Sequence, residues 1–361
     1  MLRILLLVAL IIFSGTNAAQ AARDCVYNAD SSSPVLLNRG VNLTRWWEND
    51  QTQMLTADGI KDLHGLGFDF VRLPLSTKWL TMDDKDEQAE KLTRLRCDLI
   101  SLLNRGLAVV VDLHAPQRFQ KNLEKNPDMA VTRLGSLWES LQPVLDGLPP
   151  DRVFLGLYNE PQIENKIWWG IQGKVLKKLR AVFPQNTFVV SAGPHGEPWN
   201  LAQMKPYDDK NVIYEFHYYE PVFFTHHGAN WFPADDPIRK TAPVAYPVDA
   251  GSSTEEVDPD VKNYIAAGWN RARLAVDIGQ IADWKKRNGV KIACLEFGVY
   301  RPFTDADSRN RWLRDMRELL EQNGIPWALW EYRGGFGLLD DNWTPDEGIV
   351  KVLGLNDSPD P

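Results

Sequence analysis

The stretch Val153-Phe-Leu-Gly-Leu-Tyr-Asn-Glu-Pro161 decides how this chain is read. It opens as a short apolar run with the length and composition of a strand buried on both faces. It then breaks into Asn159-Glu160-Pro161. A carboxylate at the carboxyl end of a buried strand carries a desolvation cost, so Glu160 has one of two readings. It is a functional acid, or it is a polar terminus that caps the next helix with Pro161 near that helix's first position. What surrounds the stretch has to choose between them.

Outward from it, apolar runs and helical patterns alternate. Strand patterns occupy 35–43, 68–75, 107–114, 153–160, 187–192, 212–219, 291–298 and 327–332. Helical periodicity fills 56–66, 87–105, 132–145, 168–182, 261–287 and 308–323, with shorter helical pieces near Leu201 and at 347–352. Eight strands alternating with helices predict an α/β fold, a single-domain (β/α)8 TIM barrel over residues 22–361. The competing open doubly wound sheet would carry a glycine-rich phosphate loop after its first strand, and Arg39-Gly-Val-Asn-Leu43 is not one. A long Pro- and Asp-rich segment, 222–259, follows the sixth strand. In a barrel such a loop belongs to the catalytic face, so it is expected to shape the cleft.

The amino terminus reads as a secretory signal over residues 1–21: Arg3, ten apolar residues from Ile4 to Phe13, then small residues around Ala21. It is too short to span a bilayer comfortably, and no later segment has the length or apolarity to do so. A secreted protein, extracellular or periplasmic and monomeric, is therefore expected, with no membrane association after cleavage. The 40 Lys and Arg stand against 48 Asp and Glu; loss of Arg3 leaves 39 against 48, a net charge near −9. That balance argues against nucleic acid or an anionic membrane as partner. Fourteen Trp exceed ordinary usage, and their flat faces suit either sugar rings or a core. Of three Cys, Cys25 and Cys97 can pair, whereas Cys294 lies in an apolar strand and reads as a small buried hydrophobe. No His/Cys cluster has zinc-ligand spacing, so neither metal nor cofactor is expected.

Polar residues recur at the carboxyl ends of the strands: Asn42, Arg72, His114, Asn159 with Glu160, His217 with Tyr219, Glu296 and Trp330. Singly each has a plain reading, a satisfied core histidine for His114 or His217, a structural ion pair for Arg72, packing for Tyr219 or Trp330. In a barrel all these ends converge on one face. Glu296 closes an apolar run as Glu160 does, and would face it across the barrel mouth. Opposed carboxylates are the equipment of glycoside hydrolysis.

Together, Gly40-Val-Asn42, Phe70-Val-Arg-Leu-Pro74, Asp112-Leu-His114, Tyr158-Asn-Glu-Pro161, His217-Tyr-Tyr219, Leu295-Glu-Phe-Gly298 and Trp327-Ala-Leu-Trp330 make the chain resemble glycoside hydrolase family 5, most closely its cellulase members. The resemblance covers nearly the whole chain after residue 21, and the second glutamate 136 residues beyond the Asn-Glu-Pro makes it specific. It implies a retaining enzyme that cleaves internal β-1,4 bonds of cellulose-like or mixed-linkage glucans. Glu160 would be the acid/base and Glu296 the nucleophile. Asn159 would bond the sugar 2-hydroxyl, and Arg72 and Tyr219 would contact Glu296. His114 and His217 would hold Glu160 and sugar hydroxyls, Asn42 would belong to the same binding set, and Trp330 would lie beneath the sugar. A β-mannanase or exo-β-1,3-glucanase on the same scaffold, and a non-catalytic glycan-binding barrel, are the alternatives. A metal-dependent isomerase or an aldolase would want a metal set or a Lys at a strand end, and no strand ends in Lys.

Secondary candidates lie in loops. Trp46, Trp47, Trp199, Trp231 and Trp269 are possible outer sugar platforms, and His195 could reach the cleft. His226 and His227 are expected at the solvent-exposed surface of the long loop. Trp327, three residues from Trp330, should face the packing side of its strand. Glu331 is a secondary carboxylate, and Glu215 a member of a buried ion pair.

Overall fold

The computed structural model describes residues 25–28, 37–48, 63–248, 258–340 and 342–355. The proposed leader at 1–21 and most of the expected helix at 56–66 lie outside them. Eight parallel strands close on themselves in sequence order: β1 Arg39–Asn42, β2 Phe70–Ser76, β3 Ala108–His114, β4 Val153–Gly156, β5 Phe188–Ser191, β6 Val212–Tyr218, β7 Lys291–Phe297 and β8 Trp327–Leu329. The closing pair sets Arg39 beside Trp327, so the barrel has no sheet edge. The expected (β/α)8 barrel is the observed one.

Strands β2 and β6 are buried along their whole length, which is why their sequences read as apolar runs rather than alternations. Inside the barrel Phe70, Val110, Phe154, Val189 and Leu295 pack as one floor beneath the polar strand ends. Gly40 makes room for that floor, since a Cβ there would lie 2.4 Å from the Phe70 ring. Outside, helices cover the strands. Asp84 caps Lys85–Asn104, Asn126 caps Pro127–Ser140, and Asp305 caps Ala306–Gln322, each accepting from backbone N–H groups of the first turn.

Much of the tryptophan content belongs to this helix-facing layer. Trp138, Trp168, Trp312 and Trp327 are fully buried. Trp138 Nε1 donates to the Leu157 carbonyl at 3.2 Å and Trp168 Nε1 to that of Ser191 at 2.9 Å, so indoles from the helices satisfy carbonyls at the strand ends. Trp46 and Trp47 are also buried, which makes them core and not sugar platforms.

Three expectations need correction. The single helix at 261–287 is two, Pro259–Ala267 and Arg271–Asn288, because Gly268 at φ 63° ends the first and Asn270 caps the second. The pattern at 153–160 is a strand only to Gly156, since the chain leaves the barrel wall to form the site. Pro161 does not open the next helix: that helix is Asn165–Arg180, and Glu164 caps it. Cys25 and Cys97 form a disulfide with Cα atoms 5.0 Å apart, and Cys294 is buried and free. No helix among the described residues is long and apolar enough to cross a membrane.

Candidate active site

The carboxyl ends of the strands surround a cleft of about 490 Å³. Glu160 and Glu296 both line it. Glu296 comes from the last turn of the β7 pleat. Glu160 sits four residues beyond β4 at φ 40°, a left-handed conformation that a non-glycine residue seldom adopts and that is characteristic of functional positions. His217 lies between them. Its Nδ1 is 2.9 Å from Glu160 Oε1 and 3.6 Å from Glu296 Oε2, and the nearest atoms of the three side chains all fall within 4.8 Å of one another. A shift in register makes this so. Phe216 pairs with Cys294, but the next residue, His217, pairs with Glu296, one position further on than a regular ladder would give.

Beneath the glutamates the floor is ionic. Arg72 is fully buried and donates from Nη1 to Glu296 Oε1 at 2.5 Å and to Asn42 Oδ1 at 3.0 Å, and from Nη2 to Asp112 Oδ2 at 2.9 Å and Asn159 Oδ1 at 2.6 Å. Burial alone would lower its pKa, but the charges of Asp112, Glu296 and Glu215 outweigh it, so the guanidinium stays charged. Asn42 also donates to the carbonyls of Leu295 at 2.9 Å and Leu329 at 3.1 Å. All its side-chain polar atoms are therefore engaged inside the barrel. Asn42 was expected among the substrate contacts; the structure makes it a brace between Arg72, β7 and β8.

Glu296 accepts a second hydrogen bond, from Tyr219 Oη at 3.0 Å. Burial raises its carboxyl above the ordinary range, with the neighbouring Glu160 charge adding to the rise and His217 and Arg72 opposing it. For Glu160 burial also acts upward, but the hydrogen bond and charge of His217 outweigh it and hold the group below that range. His217 itself would be lowered by burial; the charge of Glu296 and the hydrogen bond to Glu160 push it up to about 10 instead. The three groups form one proton-sharing cluster, with the proton on the imidazole at neutral pH. Although their atoms lie close enough to surround one cation, Arg72, Tyr219 and His217 already supply donors to both carboxylates, and no metal is assigned to them.

His114 does not reach Glu160. Its Nε2 lies 3.0 Å from Asp112 Oδ2 and its Nδ1 3.4 Å from Glu48 Oε1, while its ring stacks parallel to Trp330 at 6.4 Å between centroids. Burial would lower it, but Asp112 and Glu48 raise it to about 9. The ring thus lies parallel to Trp330, which lines the cleft. Trp327 faces the packing side of β8, as its spacing requires.

The rest of the cleft comes from loops. Thr44, Arg45 and Glu48 follow β1, and Glu331 and Phe336 follow β8; Glu331 is buried and accepts from Thr44 Oγ1 and from the Phe336 amide at 3.3 Å. Opposite them His226, Asn230 and Trp231 come from the segment after β6, and Tyr300 from the loop after β7. His226 and His227 were expected to be exposed. His227 is buried, and His226 packs edge-on against Tyr219 at 4.9 Å and Phe336 at 5.2 Å, because aromatic rings from the segments after β6 and β8 close over it. Burial lowers His226 to about 4. Among the loop tryptophans Trp231 lines the cleft with its ring 55% exposed, whereas Trp199 bonds Glu197 and Trp269 lies under Arg273. Glu48, Arg45, Asn230, Tyr300 and Phe336 carried no sequence signal: they lie in irregular segments, where no periodicity marks the inward face.

A family model described as cellulase (glycosyl hydrolase family 5) matches residues 29–335. The chain is 27% identical over 350 residues to endoglucanase 3 of Fibrobacter succinogenes, covering 88% of this chain and 53% of that protein, so it spans about half the length of that relative. It is 25% identical over 345 residues to endoglucanase C of Acetivibrio thermocellus, covering 88% of this chain and 98% of that one. Among solved structures, Thermotoga maritima Cel5A in complex with cellobiose superposes with a TM-score of 0.72 at 24% identity, covering 89% of this chain and 100% of that one, a likeness of fold. The order of the strands, the match of the family model and the two glutamates at the barrel mouth lead to one conclusion: the chain belongs to glycosyl hydrolase family 5, the cellulase family.

Proposed function

We propose that this chain is an exported glycoside hydrolase that cleaves internal β-1,4 bonds of cellulose-like or mixed-linkage β-glucans with retention of configuration. One observation carries the reading: two carboxylates with an oxygen of each within 4.8 Å of the other, in unlike surroundings. That separation suits the roughly 5–5.5 Å of a retaining pair and not the wider gap that admits a water between them.

Burial order alone would make Glu296 the proton donor. The hydrogen bonds favour the opposite assignment. Both Glu296 oxygens accept from groups in the site, Arg72 and Tyr219, which favours the ionised nucleophile, and a carboxylate raised by burial is the more nucleophilic once ionised. Glu160 is 32% exposed toward the cleft and has one protein partner, the imidazole. A sugar covering Glu160 removes its water and drives the proton from His217 Nδ1 to Glu160 Oε1. Glu160 then protonates the departing glycosidic oxygen while Glu296 bonds the anomeric carbon. Esterification of Glu296 removes its charge, and Glu160, ionised again, takes a proton from the water that releases the sugar. Asn159, its Oδ1 held by Arg72, has its amide N–H₂ for the 2-hydroxyl. Trp330 and Trp231 offer faces for sugar rings.

The endoglucanase names of the two relatives support a glucan substrate cleaved internally. The apolar leader at 1–21 and the Cys25–Cys97 disulfide support export to an oxidising compartment. Three experiments test the reading. Reducing sugar released from carboxymethylcellulose, lichenan, mannan, xylan and laminarin should be greatest on the first two. Proton NMR of an early digest should show the β-anomer first, and Glu296→Gln should abolish turnover with an unchanged melting temperature. An α-anomer first, or an active Glu296→Gln, would sink it.

A further inference from the structure

Directly below the catalytic pair lies a third glutamate that the chemistry above does not use. Glu215 projects from the middle of β6 into the barrel and is 1% exposed. Among the described residues neither of its carboxylate oxygens has a hydrogen-bond partner, nor has Arg72 Nε or His217 Nε2. These orphaned atoms face one another: Glu215 Oε2 is 3.8 Å from His217 Nε2 and 4.0 Å from Arg72 Nε. A buried carboxylate in a barrel interior is costly unless something depends on it.

Two edges of one imidazole are thereby assigned. Nδ1 faces Glu160 and Glu296 at the cleft, and Nε2 faces Glu215 in the interior. We propose that Glu215 is a positioning residue that holds the His217 ring in this orientation with a proton on Nε2, and that favours the doubly protonated ring whose Nδ1–H supplies Glu160. The proposal rests on the reading of Glu160 as acid/base. The residue acts through His217 and touches no substrate.

The groups that face His217 come from every neighbouring strand end. Glu160 lies beyond β4, Glu296 on β7 and Glu215 on its own β6, while Arg72 on β2 and Asp112 on β3 stand behind them. His195, beyond β5, contributes a weaker charge at Glu160. Three carboxylates thus stabilise the imidazolium, and Glu215 is the one whose removal leaves both glutamates at the cleft intact. A full charge at such a distance in a buried site moves a histidine by on the order of one pH unit or more.

Glu215→Gln keeps the shape and removes the charge, and Glu215→Asp keeps the charge. The ¹⁵N ring signals of His217, identified by their absence in His217→Asn, should titrate in the folded wild type well above the ordinary histidine range. In Glu215→Gln the midpoint should fall by at least about one unit. The alkaline limb of kcat/KM should fall with it, kcat should drop tenfold or more, and KM should stay near wild type. Glu215→Asp should restore most of the profile. A wild-type His217 that titrates in the ordinary range overturns the proposal even if Glu215→Gln does not fold. So does a Glu215→Gln enzyme whose titration and pH profile superpose on wild type. A wrong assignment of Glu160 would leave the His217 titration shift intact and alter only the rate arm, so the two failures are separable.

Discussion

The Arg72 guanidinium donates to the Glu296 carboxylate at 2.5 Å, and the two side chains are 0% and 5% exposed. The same group reaches Asn42, Asp112 and Asn159, and its Nε faces Glu215. One buried cation therefore ties residues of β1, β2, β3, β6 and β7 to the turn after β4. It is as much a keystone of the barrel mouth as a part of the site.

Arg72→Met should therefore destabilise the fold as well as inactivate it. The substitution leaves Asp112, Glu215 and Glu296 with only the His114 and His217 imidazoles as counter-charges, and breaking a buried pair in this way costs about 3–5 kcal/mol. Urea denaturation should show that loss. Arg72→Lys should recover part of the stability but not the activity, since an ammonium cannot make the forked contacts.

Tyr219→Phe removes one donor to Glu296 and leaves the packing of the ring in place. A hydrogen bond to a charged acceptor is worth about 1.5–3 kcal/mol, so kcat should fall roughly 10- to 100-fold with little change in KM. Steady-state kinetics on a chromogenic cello-oligosaccharide would measure both. A compensating rise in KM would assign the hydroxyl to substrate binding instead.

His226 predicts a pH dependence of stability with a definite sign. Burial lowers it from 6.5 to about 4, so between those values the unfolded chain binds a proton that the folded one does not. Stability should rise with pH across that window and level off on either side, by at most roughly 3 kcal/mol. Thermal melts from pH 4 to 7 should show the slope, and His226→Phe should flatten it. His217 acts in the opposite sense: raised to about 10, it contributes stability that is present below its unfolded value and is lost as pH climbs through 10.

The Cys25–Cys97 bond closes a loop with a sequence separation of 72 and ties the amino terminus to the Lys85–Asn104 helix. Cys97→Ser should lower stability by about 2–5 kcal/mol while leaving specific activity at 25 °C near wild type, because neither cysteine lines the cleft. Calorimetry with and without reductant would check this, and reductant should not affect the Ser variant.

The barrel and the polar groups at its mouth were legible where the backbone is periodic. Buried parallel strands leave apolar runs, and a Glu, Arg or His that ends such a run stands out because it breaks the pattern; Glu160, Glu296, Arg72 and His114 were found that way. Asn42 was found too, but its placement among substrate contacts was not right, because every polar atom of its side chain is engaged inside the barrel. Glu48, Asn230, Tyr300 and Phe336 sit in irregular loops, and nothing local separates a loop residue that lines a cleft from one that faces water.

The sequence by itself determined the order and number of the strands and the polar residues at their ends, because these follow from short-range periodicity; the family followed from the resemblance of the motifs at those ends. Which polar groups meet was decided only by closing the barrel. His217 stands beside Glu296 through a one-residue register shift, His114 turns to Glu48 and Asp112 and away from Glu160, and Glu215 comes to lie under His217. Each contact joins different strands or loops or depends on local irregularity, and each is set by packing at distances that no periodicity encodes.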